Sequence, residues 1–222
     1  MSARAATARK IHAAPEAGAR EKLLPAAERL FAAHGYNGVS VRELAAAAGV
    51  NSALVAYHFG SKEGLLSEIY RRHCAAMNAE RKRLLDAARA KSRPLKLEAV
   101  LEAFIRPALE TAGGKEGESF TRLRAVLSGE NSELLDKLVA ENFDRSSAMF
   151  IDALCQCLPQ LPREQIYWRF HFLLGAIYYT AAGPYRIRTL SHGRCDPSDA
   201  EAAMRALIPF LAAGLKAPAA KH

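Results

Sequence analysis

The chain has 222 residues, enough for one large or two small domains with a substantial buried core. Half of the residues are hydrophobic, which argues against general disorder, and 31 Lys and Arg against 23 Asp and Glu leave a formal charge of +8. No apolar run is long enough to span a bilayer and there is no signal-peptide core, so the expectation is a cytoplasmic protein without a membrane partner.

Residues 1–19 are rich in Ala, with Arg4, Arg9 and Lys10 and no acidic residue before Glu16. That composition suits an organellar transit peptide or a disordered basic arm able to brush a DNA backbone or minor groove. A first helix is expected over 20–34, with Pro25 kinking it or delaying its start to about Leu24. Ser40 and Glu43 then have the spacing of a capping box, and Val41, Leu44, Ala45 and Ala48 form an apolar stripe over a second helix, 41–48. Gly49 supplies the positive φ that ends this helix, with Val50 tucked inward behind it. Asn51 is a good N-cap for a third helix, 52–58, which buries Leu54 and Val55. This is a helix-turn-helix layout, whose second helix fits a DNA major groove.

A fourth helix is expected over 62–91, and its roughly 30 residues at about 1.5 Å each would span about 45 Å. Further helices are expected at 95–112, 117–128, 131–158, 163–182 and 198–216. Arg93-Pro94, Gly113-Gly114, Leu158-Pro159 with Pro162, and Gly183-Pro184 separate them, while Pro107 and Pro209 predict kinks or breaks inside helices. No window alternates as a strand does, so the fold class is all-α. Gly113-Gly114-Lys115 lacks P-loop spacing and follows a helix, and so reads as a turn. Cys74, Cys155, Cys157 and Cys195 form neither a disulfide framework nor a zinc pattern; they read as buried or idle thiols, with a redox switch the other possibility.

Charge is divided unevenly along the chain. Residues 1–93 carry 16 Lys and Arg against 8 Asp and Glu, whereas residues 94–222 carry 15 of each. All the excess positive charge therefore accompanies the helix-turn-helix, as an electrostatic footprint for phosphates requires; a solvated basic surface is the bland alternative.

From about Arg20 to Ile69 the chain resembles the TetR/AcrR family of bacterial transcriptional regulators. The resemblance is carried by Ala26-Ala27-Glu28-Arg29-Leu30-Phe31-Ala32-Ala33-His34-Gly35-Tyr36, by the helix-turn-helix, and by Tyr57-His58-Phe59-Gly60-Ser61-Lys62-Glu63-Gly64-Leu65. It implies a three-helix DNA-binding domain over 20–66, a helical effector-binding and dimerisation domain over 67–216, and a tail at 217–222. The implied partners are a double-stranded, pseudo-palindromic operator, a second copy of the chain, and a small-molecule effector.

Carried over residue by residue, the resemblance places Ser40 beside a phosphate and Arg42 within reach of phosphate or a base edge. Asn51, Ser52 and Ala53 lead the recognition helix, where Ser52 exchanges hydrogen bonds with bases and Ala53 packs on a thymine methyl. Tyr57, His58 and Lys62 lie where the family often contacts phosphates. Ser40 and Asn51 are needed as caps in any case, and His58 has packing against the first helix as its alternative. The chain departs from the family at Ala56, where many members carry Tyr, and at Pro25.

In the second domain the resemblance implies a dimer seam of Phe172, Leu173, Gly175, Ala176 and Tyr179 with Met204, Leu207, Ile208 and Leu211. Phe104, Phe120, Phe143, Met149, Trp168 and Phe172 offer apolar volume for an effector pocket. Arg122, Arg169 and His171 are the polar groups that would hold a carboxylate or phosphate head. The C-terminal half loosely resembles members responding to fatty acids or acyl-thioesters, and an aromatic drug-like effector is the alternative. No nucleophile elbow, metal triad or dinucleotide loop is present, so neither an enzyme nor a cofactor is expected. The competing non-enzymatic reading is a helical dimeric sensor or adaptor that keeps the fold without reading an operator.

Overall fold

The computed structural model describes residues 18–112, 115–127, 129, 133–182, 184–196 and 198–218. The expected arm lies almost wholly outside them, as do Gly113, Gly114, Gly183 and the end of the tail. Among the described residues every element is a helix: α1 Ala19–His34, α2 Val41–Ala48, α3 Ala53–Phe59, α4 Lys62–Lys91, α5 Leu97–Ala112, α6 Lys115–Leu127, α7 Glu133–Cys157, α8 Arg163–Ala182, α9 Pro184–Leu190 and α10 Ala200–Lys216. None of them is long and apolar enough to cross a membrane.

The described residues fall into two compact units. One takes the chain up to Arg72 together with Arg122–Leu138, and the other takes His73–Thr121 and the residues from Val139 onward. The division therefore runs through α4, α6 and α7, with Phe120 in one unit and Arg122 in the other.

In the first unit α1 packs on α2 and α3, and α2 packs on α3. Leu23, Ala27, Phe31, Leu44, Leu65 and Leu66 are fully buried there. Burying a Leu or Phe of this kind is worth about 1.5–3 kcal/mol relative to leaving it exposed. Gly18 flanks α1 and Ala19 is buried, so both belong to the folded head and not to an arm. Pro25 does not interrupt α1, which runs through it as one 16-residue helix. Pro25 is exposed, so the Glu21 carbonyl that loses its usual amide partner lies on the side open to water.

The second unit is built around α5, α8 and α10, which pack on one another. Leu101, Ile105, Phe150, Leu154, Ile166 and Leu173 are among the side chains at its centre. Pro107 and Pro209 also lie within continuous helices, so the expected breaks at these positions are absent. Helix α9 has no counterpart in the sequence reading. Its first residue, Pro184, has the fixed φ suited to a first helical position and no amide hydrogen to leave unpaired there.

Candidate nucleic-acid interface

The helix-turn-helix is assembled from local hydrogen bonds. The Ser40 amide donates to Glu43 Oε2 at 2.7 Å, and the Glu43 amide donates to Ser40 Oγ at 3.3 Å, completing the capping box. The Ser40 hydroxyl also donates to Glu43 Oε2 at 2.7 Å. These bonds hold the exposed Glu43 carboxyl below its ordinary pKa, the Ser40 side chain being the largest cause. At the other end Gly49 adopts φ 65° and ψ 37°. Its amide donates to Ala46 O at 3.1 Å and the Val50 amide donates to Ala45 O at 3.0 Å, which is the Schellman pairing. Asn51 caps the following helix as expected: its Oδ1 accepts from the Ala53 amide at 2.8 Å. Ser52 already has helical dihedrals, and its hydroxyl is not spent on a cap.

This geometry leaves Ser40, Arg42, Asn51, Ser52, Ala53 and Tyr57 exposed, while Leu44, Ala45 and Val55 point into the core. Tyr57 is 71% exposed, so its hydroxyl is available to a partner. Ala56, where the resemblance leads one to expect Tyr, is also exposed. His58 is half-buried, with its ring 5.0 Å from that of Tyr57 and 6.2 Å from that of Phe59. Its Nε2 is fully buried and without a hydrogen-bond partner.

Lys62 has a more structural placement than the sequence suggests. Its ammonium donates to Tyr36 O and Val39 O, each at 2.9 Å, and lies 4.1 Å from the centroid of the Tyr36 ring. It ties the start of α4 to the loop that delivers the chain into α2. Two of its three donors are thereby used, and one remains for a phosphate. Ser61, which the sequence reading passed over, caps α4 by accepting from the Gly64 amide at 3.0 Å. Arg20 and Arg71 both pair with Glu68, whose pKa is lowered chiefly by the Arg71 hydrogen bond.

The residues proposed from sequence for an effector pocket do not gather in one place. Phe104, Phe120 and Phe143 are buried, and Met149 is half-buried. Phe104 packs tilted against Phe150 and Phe170, with centroid separations of 4.8 and 5.2 Å. Arg122 is exposed and belongs to the other unit. Trp168 and Phe172 are 60% and 61% exposed on the outside of α8, and His171 is exposed beside them. Arg169 is occupied with Leu215 O at 2.6 Å and Ala217 O at 2.7 Å, so it closes the C-terminal end of α10.

The seam residues likewise divide. Leu173, Met204 and Leu211 face their own core, whereas Phe172, Gly175 and Tyr179 are exposed and extend with Trp168 as one stripe along α8. Phe210 on α10 and Tyr185, Ile187 and Leu190 on α9 add further exposed apolar side chains. An apolar groove of about 460 Å³ lies among Thr180, Ile187, Leu207, Phe210 and the Arg194–Asp196 turn.

The chain matches two family descriptions: "Bacterial regulatory proteins, tetR family" over residues 23–69, and "Tetracyclin repressor-like, C-terminal domain" over residues 102–214. Among curated proteins it is 41% identical over 58 residues to the transcriptional repressor AcnR of Corynebacterium glutamicum, covering 26% of this chain and 31% of that protein. It is 46% identical over 74 residues to the transcriptional regulatory protein RaaS of Mycobacterium tuberculosis, covering 33% and 32%. The matched stretch thus spans about a third of the length of these relatives. Among solved structures, the fatty acid degradation regulator FadR of Bacillus halodurans superposes with a TM-score of 0.66 at 16% identity, over 90% of this chain and 97% of that one. The FadR of Bacillus subtilis, in complex with stearoyl-CoA, does so with 0.62 at 17%, over 87% and 98%. At such identities the likeness is one of fold. The C-terminal family match alone extends over half of the chain, and with the capped helix-turn-helix ahead of it the chain belongs to the TetR family.

Proposed function

We propose that this chain is a transcriptional repressor that binds a pseudo-palindromic operator as a homodimer and releases it when a small effector occupies the C-terminal unit. The observation that carries the reading is the exposed row of Arg42, Asn51, Ser52, Ala53 and Tyr57, presented by two short helices whose starts are capped by Ser40 and Asn51. An exposed hydroxyl, an amide, a guanidinium and a methyl group suit hydrogen bonding and packing at base edges and phosphates. The concentration of positive charge in residues 1–93 supports the same partner. The names of AcnR and the other curated relatives support repression as the outcome.

The proposed dimer face is the exposed aromatic stripe of α8 with Phe210. An isologous pairing of that face would present two recognition helices to half-sites separated by whole turns of B-DNA. Helix α4 runs without interruption from Lys62, three residues beyond the recognition helix, to Lys91 in the second unit. An effector that binds the DNA-incompetent arrangement more tightly shifts the population toward it, and displacement of α4 spoils simultaneous contact with both half-sites. The role is regulatory, with no catalytic step.

The test is selection of bound fragments from sheared DNA of the source organism across a salt series. A recovered two-fold-symmetric site, with the logarithm of the affinity falling linearly in log salt, is the expected result. Retention that is salt-sensitive but indifferent to sequence would replace the repressor with a helical sensor carrying a generic polyanion surface.

A further inference from the structure

The cap at the start of α3 settles which half of the Asn51 amide can meet another molecule. Asn51 is exposed, in the turn between α2 and the recognition helix. Its Oδ1 accepts from the Ala53 amide at 2.8 Å. That bond fixes the orientation of the group, since a backbone N–H must be met by the oxygen and not by the nitrogen. The two Nδ2 hydrogens are not used by the cap.

Neighbouring side chains in the exposed row discriminate less between bases. The Ser52 hydroxyl is not spent on a cap and can both donate and accept, so it fits any base edge. Ala53 and Ala56 are exposed and offer only methyl groups. Arg42 sits on α2. In helix-turn-helix docking that first helix crosses the backbone, while the leading residues of the second meet base edges. Asn51 is thus a side chain of fixed polarity at the leading end of the recognition helix.

The major-groove edges of the four bases answer that polarity differently. Guanine presents two acceptors, N7 and O6, whereas cytosine presents only its N4 amino donor. Thymine offers the single acceptor O4 beside a methyl group, and adenine offers N7 beside the N6 amino donor. The usual asparagine contact with adenine uses both ends of the amide, with the oxygen accepting from N6. Here that oxygen already serves the Ala53 amide, and a second donor would have to share it. Two Nδ2 hydrogens facing two acceptors meet no such conflict.

We infer that Asn51 selects guanine in each half-site of the operator, through Nδ2, while its Oδ1 holds the start of α3. The inference rests on the operator-binding reading above, and it makes one residue both a cap and a determinant of specificity. Two substitutions separate these roles. Asn51→Asp keeps an oxygen for the Ala53 amide, and Asp equals Asn as an N-cap, but a carboxylate has no hydrogen to donate. It accepts instead from the cytosine N4 amino group. Asn51→Gly retains most of the capping preference and offers no side chain.

Operators are selected from a randomised duplex library with the full chain, with Asn51→Asp and with Asn51→Gly, and the three base profiles are compared. The expected profile of the parent is two-fold symmetric. One guanine in each half-site becomes cytosine with Asn51→Asp and loses its preference with Asn51→Gly, while the other positions keep their bases. The aspartate charge lowers affinity for every sequence, so the profile is the readout. In the parent site, 7-deazaguanine at that position lacks the N7 acceptor and weakens binding at least about fivefold, the low end for one base contact. Asn51→Gly binds the two duplexes equally. Profiles that do not change with residue 51 make Asn51 a cap only and overturn the inference. A base other than guanine at the position that responds to residue 51 overturns it too. Should Asn51→Asp fail to fold, persistence of the 7-deazaguanine penalty in Asn51→Gly overturns the inference and its loss upholds it. A symmetric site indifferent to residue 51 sinks only this inference, whereas the absence of any sequence-selective site for the parent sinks the repressor reading and this inference with it.

Discussion

Tyr57 and Lys62 lie five positions apart and carry the same expectation from sequence, a phosphate contact, yet their surroundings differ in kind. The Tyr57 hydroxyl faces water, whereas the Lys62 ammonium is held by the Tyr36 and Val39 carbonyls. Tyr57→Phe is therefore expected to leave stability unchanged and to weaken DNA binding about tenfold, the scale of one hydrogen bond to a charged group. Lys62→Ala is expected to lower stability by about 1–3 kcal/mol, because two carbonyls lose a charged donor, and to weaken DNA binding through α2 as well. Urea denaturation alongside fluorescence anisotropy with the selected operator separates the two effects. An unaltered urea midpoint in the Lys62 variant would restore it to a purely phosphate-contacting role. Arg169 teaches the same point: residue type suggested a ligand-binding cation, but proximity to the end of α10 spends it on four backbone carbonyls.

At the scale of the element, what was legible is what local chemistry fixes. The capping box of Ser40 and Glu43, the left-handed Gly49 and the Asn51 cap each involve atoms within a few residues, so spacing alone located them. Gly49→Ala places a Cβ in a left-handed conformation with no atom within 4 Å to clash with. The expected loss is therefore the conformational cost alone, about 1–2 kcal/mol, with Gly49→Asn losing less. Equal urea midpoints for Gly49→Ala and the parent would mean the turn does not depend on the positive φ. Proline did not interrupt helices where breaks were among the expectations. Pro25, Pro107 and Pro209 remain inside continuous helices, and Pro184 opens a helix that the hydrophobic pattern did not announce. A seven-residue helix with Tyr185, Ile187 and Leu190 all exposed has no buried stripe for a periodicity argument to find.

Across the whole molecule the uneven charge and the exposed apolar side chains point to two different partners. The excess positive charge lies in residues 1–93, the stretch that contains the helix-turn-helix and most of α4, while Trp168, Phe172, Tyr179 and Phe210 lie exposed in the second unit. If the aromatic stripe is the dimer face, Phe172→Glu should raise the dimer dissociation constant by at least about 100-fold, as loss of a central aromatic contact with a charge introduced would require. Helicity should persist, because the side chain is not part of the protomer's core. Sedimentation equilibrium reads the first quantity and circular dichroism the second. A variant that remains dimeric would move the interface off α8, and operator affinity measured on a monomeric variant tests whether two heads are needed.

The sequence by itself determined the helical class, the capped helix-turn-helix and the family, since each depends on hydrogen bonds and periodicities that close within a few residues. Only the tertiary structure decided which apolar stripe faces inward and which faces out. Leu173 and Phe172 are adjacent and similarly apolar, yet one is in the core and the other is mostly exposed. Tertiary structure alone also placed Arg81 on Phe104 and left Asn78 Oδ1 and Ser146 Oγ without partners. The sequence did show a charge and a hydroxyl interrupting apolar stripes at 81 and 146. Whether such polar groups are satisfied depends on which helices pack against them, and that pairing joins residues more than sixty positions apart.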